Sequence, residues 1–177
     1  MARGKPKGQG LIIIYSGNGK GKTTAALGLA MRALGHGMRV SIIQFFKGRW
    51  KTGERRLAER IPELELIPMG PGRGGREGEE VRRHLAARAL EFGREKLISG
   101  EFDMVILDEI NYALSGGLLP VEEVLRLFHE KPPHVHLVLT GRGASPELQR
   151  EAHIVTEMVA IKHAKELGFG PLRGIEY

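Results

Sequence analysis

Between residues 17 and 24 the chain reads Gly-Asn-Gly-Lys-Gly-Lys-Thr-Thr, a cluster suited to holding a polyphosphate. A chain that wraps an anion with backbone N–H groups must lack side chains where it comes close. Glycine at 17, 19 and 21 meets that need and permits positive φ. Lys22 supplies a point charge, and the Thr23 hydroxyl is a hard oxygen donor for Mg²⁺. A second cluster, Asp108-Glu109, ends an apolar run and could hold the same metal directly or through water. Arg142, set between Gly141 and Gly143, could reach a phosphate or a base.

The elements around these residues can be read next. Leu11 to Tyr15 is an apolar strand, and Lys22 to Leu34 has an Ala/Leu helix pattern with Gly35 as its expected C-cap. Strand, glycine loop and helix in this order form the phosphate-binding loop of P-loop NTPases, with the helix N-terminus aimed at the anion. The usual spacing, G-x-x-x-x-G-K-[ST], puts the first glycine at position 16, where this chain has Ser16. Arg39 to Phe46 reads as a second strand, followed by a polar loop over 47–54. Leu64–Ile67 is a short strand. Residues 69–78, mostly Gly, Pro and Arg, read as a mobile loop.

Residues 79–98 form an amphipathic helix with Val81, Leu85, Ala89 and Phe92 in one stripe and Ala86, Leu90 and Leu97 beside it. Residues 102–109 suit a strand buried on both faces, with the acid pair beside the phosphate loop. A helix over 120–129, a strand over 134–140, a helix begun by Ser145-Pro146-Glu147 and a last strand over 154–158 complete the pattern. His134 and His136 alternate on their strand and read as ordinary polar side chains. The fold class is therefore α/β: a P-loop NTPase-like (RecA-like), mostly parallel sheet flanked by helices. Residues 1–9 read as a basic flexible N-terminus and 10–177 as a single domain. Each cluster also has a plain alternative: a Gly/Lys turn, an acid pair capping a helix, a surface Arg in a turn.

Composition narrows the function classes. The chain has no cysteine, which excludes disulfides, thiolate metal sites and a cysteine nucleophile. It shows neither an apolar run of about 18 residues nor the apolar core of a signal peptide, so the expectation is a cytoplasmic protein with no membrane partner. The net charge of +6 suits anionic partners. Arg is dense over 49–94, but Glu is interleaved there and aromatic–basic patterning is absent. Nucleic acid is therefore not the expected partner on the main reading.

Taken together, SGNGKGKTTAALG, ALGHG (33–37), QFFKG (44–48), GE (53–54), DMVILDE (103–109) with Tyr112, LPVEEV (119–124), TGRG (140–143), VTEM (155–158), KHA (162–164) and GIEY (174–177) resemble the P-loop ATP:corrinoid adenosyltransferases. The resemblance covers residues 10–177, and it makes the late first glycine a family feature. It implies transfer of the 5′-deoxyadenosyl group of ATP to the cobalt(I) of a reduced corrinoid, with release of triphosphate, in adenosylcobalamin biosynthesis or salvage. The corrinoid brings the nucleophile, so no protein nucleophile is needed.

By position, the resemblance assigns Gly17, Asn18, Gly19, Lys20, Gly21, Lys22, Thr23 and Thr24 to triphosphate, held in reverse so that C5′ is exposed. Thr23 and Glu109 become the Mg²⁺ contacts, with Asp108 behind them. Lys22, Thr23 and Glu109 are thereby the catalytic set, and Arg32 and Arg142 face the adenosine or phosphate. A homodimer and a flavoprotein or flavodoxin-type reductant are the implied partners. The family's aromatic Gly-Phe-Thr-Trp-like segment is replaced here by residues 69–74, without an aromatic. Cobinamide, which lacks a lower ligand, is therefore the expected better substrate. A RecA-like ATPase that binds nucleic acid, or a small-molecule kinase, is the alternative on the phosphate loop alone.

Overall fold

The computed structural model describes residues 8–48, 52–70 and 77–177. Arg49, Trp50 and Lys51 of the expected polar loop, residues 71–76 of the glycine-rich loop and most of the basic N-terminus lie outside them. So does most of the stretch that replaces the family's aromatic segment.

The elements run β1 (Ile12–Ser16), α1 (Lys22–Gly35), β2 (Val40–Gln44), α2 (Gly53–Ala58), β3 (Leu64–Pro68), α3 (Glu79–Ile98), β4 (Met104–Asp108), α4 (Ile110–Ser115), α5 (Val121–Glu130), β5 (His136–Thr140), α6 (Pro146–Glu151) and β6 (Ile154–Glu157). The six strands form one sheet in the order β3-β2-β4-β5-β1-β6, and every neighbouring pair is parallel. Parallel pairing demands a crossover between successive strands, so helices cover both faces.

Alternation along each strand divides the core in two. Ile13, Val40, Ile42, Met104, Ile106 and Val138 face α1, which meets them with Ala26, Ala30 and Ala33. Ile12, Ile14, Ile43, Val105, Leu107, Leu137 and Leu139 face the other way, against residues of α3, α5 and α6. Small residues on α1 let that helix lie close to the sheet, which brings its N-terminus up to the strand ends.

Several local expectations shift. The helix expected to cap at Gly35 runs through it, and the left-handed turn falls on Gly37 (φ 73°). The buried side of α3 is Ala86, Ala89, Leu90, Gly93 and Leu97, and Val81 is exposed. Its apolar residues are too spread for periodicity alone to fix the face. Two short helices, α2 and α4, add to the expected pattern, since six residues carry little periodic signal; α4 follows the acid pair with Glu109 at its cap position, the plain alternative for that pair. Phe46 and Tyr112 meet edge to face at 5.2 Å, which ties α4 to the end of β2. The acid pair does lie beside the phosphate loop, with Thr23 Oγ1 2.8 Å from Asp108 Oδ1, although β5 separates β4 from β1 in the sheet. In the described part of the Arg-rich region, Arg83 pairs with Glu79 and Arg94 with Glu130 and Glu91.

Candidate functional site

The site lies at the carboxyl ends of β1, β4 and β5, where open parallel sheets bind ligands. The β1–α1 loop is shaped by a second segment as well as by its own sequence. The chain leaving β6 crosses it: Gly19 N–H donates to Met158 O at 2.6 Å, and Met158 N–H donates to Ser16 O at 2.9 Å. A Cβ at Gly17 would lie 2.4 Å from Met158 O, and one at Gly19 would lie 2.7 Å from it. Both glycines are thus required by backbone contact within the protein. Ser16, which breaks the usual motif, is buried, and its Oγ accepts the Ala144 N–H at 3.2 Å. The residue that weakened the motif ties the phosphate loop to the loop after β5.

Gly21 caps α1 in the left-handed region (φ 116°) and brings no side-chain oxygen to the helix N-terminus. The first N–H groups of α1 are therefore open to an anion. Lys22 is buried, and its Nζ donates to Gly17 O at 2.8 Å and Gly19 O at 2.7 Å. Burial pushes its pKa down. Glu109 opposes that shift, and Arg142 adds to it.

Asp108 is the hub beneath the loop. It is 1% exposed, and all its acceptors face protein donors. Thr23 Oγ1 donates to Oδ1 at 2.8 Å, and Thr140 Oγ1 donates to the same atom at 2.7 Å. Gln44 Nε2 donates to Oδ2 at 3.2 Å, and Lys47 Nζ lies 3.4 Å from it. Because β5 separates β1 from β4, Thr140 at its end spans the gap. Its Oγ1 also accepts the Glu109 N–H at 2.9 Å. Asp108 thus accepts the Thr23 proton, and an arrangement of this kind leaves the hydroxyl's lone pairs able to accept a cation.

Glu109 ends the strand in a different way. It adopts φ 69°, the sole positive φ of a non-glycine residue among the described residues, and it caps α4. Such a conformation costs of order 1 kcal/mol or more and collects at functional positions. Burial raises the Glu109 pKa and the Asp108 charge adds to the rise, against Lys22, Lys47 and Arg142.

Asn18, Gly19, Lys20, Gly21, Lys22, Thr23, Thr24, Glu109 and Arg142 all line one cavity of about 490 Å³. Gly17 shapes the loop, and Asp108 lies under it. Arg32 is not brought there. It stands ten residues along α1 from Lys22, roughly 15 Å at the helical rise, and its charge is felt by Tyr15. The cavity also takes in Leu27, Lys47, Glu54, His163 and the C-terminal turn Gly174–Tyr177. Their stretches carried the family resemblance; the 47–54 loop was also expected at a ligand-binding strand end, but nothing in the spacing of Leu27, His163 or residues 174–177 marked them for a phosphate site.

Fold and site together define a P-loop protein with a six-stranded parallel sheet. A solved structure of the flagellar accessory protein FlaH from Methanocaldococcus jannaschii shares this fold, with a TM-score of 0.60, 16% identity, and 84% of this chain and 71% of that chain covered. The sequence model of the family ATP:corrinoid adenosyltransferase BtuR/CobO/CobP matches residues 8–177, and the chain belongs to that family. It is 39% identical over 172 residues to the corrinoid adenosyltransferase of Pseudomonas aeruginosa, covering 96% of this chain and 84% of the relative. It is also 39% identical to corrinoid adenosyltransferase CobA of Salmonella typhimurium over 170 residues, covering 96% and 86%.

Proposed function

We propose that the chain, a corrinoid adenosyltransferase, moves the 5′-deoxyadenosyl group of ATP onto the cobalt(I) of a reduced corrinoid. The electron pair of cobalt(I) forms the bond to C5′. The C5′–O bond breaks and its electrons leave on the triphosphate, so the cobalt ends formally as cobalt(III). The observation that carries this reading is the convergence of Lys22, Thr23, Glu109 and Arg142 on one cavity above the N-terminus of α1, in a chain of this family. The charge that develops is on the leaving triphosphate. The lysine, the arginine and the open helix N–H groups are fixed in place to meet it.

Thr23 and Glu109 are the proposed direct contacts of Mg²⁺, with Asp108 orienting Thr23. The donor set fits a hard cation that binds through a few protein oxygens and keeps water and phosphate oxygens for the rest. When bound, the cation would supply charge neutralisation along the phosphates. Lys47, 3.4 Å from Asp108 Oδ2, sets a positive charge against the carboxylate that accepts the Thr23 proton.

Residues 10–177 are read as one catalytic domain working in the cytoplasm, with a flavoprotein or flavodoxin-type reductant supplying electrons. A homodimer is the proposed assembly. Strand β6 is an edge whose Ile154 and Val155 are 42% and 40% exposed, and such an edge invites pairing or cover. Light scattering on the purified protein tests it.

The reaction is tested with ATP, Mg²⁺ and a chemically reduced corrinoid, with both the carbon–cobalt bond and the phosphate product followed. The expected result is one triphosphate per adenosylated corrinoid and slow ATP hydrolysis without corrinoid. Orthophosphate and ADP with no carbon–cobalt bond would replace this reading with that of an ATPase.

A further inference from the structure

The last sixteen residues are tied to one another by local backbone–backbone hydrogen bonds. Phe169 N–H donates to Ala164 O at 3.1 Å, Glu176 N–H to Leu172 O at 2.8 Å and Gly174 N–H to Tyr177 O at 2.8 Å. Their apolar side chains are largely in solvent: Phe169, Leu172 and Ile175 are 57%, 49% and 62% exposed. Nothing in this segment resembles the packed core beneath the sheet. Yet its final turn forms part of the wall of the cavity that holds the phosphate loop.

Lys20 makes the crossing. Its Nζ lies 2.6 Å from Glu176 Oε1 and donates to the Ile175 carbonyl at 3.2 Å. Two acceptors on consecutive residues meet one ammonium, and this fixes the turn's orientation as well as its distance. Lys20 belongs to the phosphate loop itself, two residues before Lys22. A carboxylate at the mouth of an anion site would repel the anion if left bare. Paired with Lys20 it adds no net charge, while Lys22 and Arg142 keep theirs for the phosphates. The pairing thus lets a wall be built from an acidic turn without spoiling the site.

We propose that Lys20 and Glu176 form a clasp that seats the C-terminal turn against the phosphate loop, and that this seating sets how tightly nucleotide is held. Glu176 is then a positioning residue for the reaction. The inference rests on the reading of the cavity as the nucleotide site. It also couples the two ends of the domain: whatever orders the phosphate loop steadies the turn, and a seated turn favours the ordered loop by the same factor.

The test uses the full chain and four variants: Glu176→Gln, Glu176→Asp, Lys20→Met and the double variant Lys20→Met/Glu176→Gln. An ion pair this exposed supports an effect of about two- to fivefold. KM for ATP should rise by that factor in Glu176→Gln, the change should fall on KM rather than kcat, and Glu176→Asp should recover most of it. The double variant should be no worse than Lys20→Met, because the two changes break one interaction. A fall in KM in Glu176→Gln would mean that the carboxylate only repels phosphate, and would overturn the clasp. So would effects of the two single changes that multiply in the double variant.

A second readout needs no adenosyl transfer. Amide hydrogen exchange over residues 164–177 should quicken in Glu176→Gln, and added inorganic triphosphate should slow it in the parent. Exchange identical in parent and variant, with and without triphosphate, overturns the clasp. If the parent transfers no adenosyl group while exchange responds as expected, the clasp stands and the proposed reaction falls.

Discussion

Two lysines sit at opposite ends of the β1–β5 pair, and both are turned toward backbone oxygens. At the carboxyl end, Lys22 donates to Gly17 O and Gly19 O. At the amino end, Lys131 donates to Gly10 O at 3.0 Å, Pro132 O at 3.1 Å and Val135 O at 3.0 Å. Burial pushes the pKa of both down. An ammonium has three N–H donors. Lys131 spends all three on the chain that leads into the two strands, so it is a structural staple. Lys22 spends two on the loop that curls round it, which leaves a third for an anion beside the open N-terminus of α1. The same residue type, half-buried in one place and buried in the other, braces two strands in the first and lines the candidate site in the second. The number of donors left over makes the difference.

The largest expected effect breaks this comparison if it fails. Lys22→Met should lower adenosyl transfer by about ten- to a hundredfold or more, since a charge-assisted contact is worth roughly 1.5–3 kcal/mol. It should also lose some stability, because Gly17 O and Gly19 O lose their donor. Lys131→Met should lose more stability and no activity. It strips an ammonium from three carbonyls and should cost about 1.5–3 kcal/mol of stability in a urea titration, with transfer per folded molecule unchanged. If both variants lose activity alike, or both lose stability alike, the count of spare donors explains nothing.

Asp108 and Glu109 extend the comparison to acids. Asp108 has no spare acceptor facing the cavity, whereas Glu109 lines it. Glu109→Gln should raise the Mg²⁺ concentration needed for half-maximal transfer with the fold intact. Asp108→Asn should do the same more weakly, through a misdirected Thr23, and should also cost about 1–3 kcal/mol of stability because buried donors lose a charged partner. A Glu109→Gln magnesium titration that overlays the parent's would remove Glu109 from the metal site.

How much of this was readable beforehand depends on which physical signal carried it. Strand–loop–helix at Leu11–Leu34 was legible because local chemistry dictates it: a continuous apolar run, then glycine, then helix formers. The apolar run into Asp108 was legible for the same reason. Sheet order was not, and the position of β5 between β1 and β4 is what makes Thr140 the bridge to Asp108. Nothing at residue 140 announces that role. The Met158 crossing, which demands glycine at 17 and 19, joins segments about 140 residues apart, and only the folded sheet reveals it. Arg32 shows the opposite failure: a charge on the right helix, several turns from its business end.

A third lysine gives the finest test, because its partners are charged. Lys47 lies 3.3 Å from Glu54 Oε1 and 3.4 Å from Asp108 Oδ2. Burial alone would lower its pKa as it does for Lys22 and Lys131, but the Asp108 and Glu54 charges outweigh burial and raise it. Glu54 mirrors this. Burial pushes its carboxyl up, and its own backbone N–H together with the Lys47 ammonium hold it below the usual 4.5. A carboxyl whose folded pKa is depressed contributes stability above its unfolded pKa and loses it as pH falls through the folded value. A lysine whose folded pKa is raised contributes below its unfolded value of 10.5 and loses that contribution as pH climbs through the folded one. The pair is therefore fully effective across neutral pH. Glu54→Gln should cost about 0.5–1 kcal/mol there, the range for a partly exposed pair. The gap to the parent should begin to close below 4.5 and vanish beneath the depressed pKa, and parent and variant titrated side by side from pH 7 to pH 3 measure it. A gap that stays constant to pH 3 would mean that the Glu54 charge contributes nothing. Carboxylate partners would then brace Lys47 no differently from the carbonyls that brace Lys131.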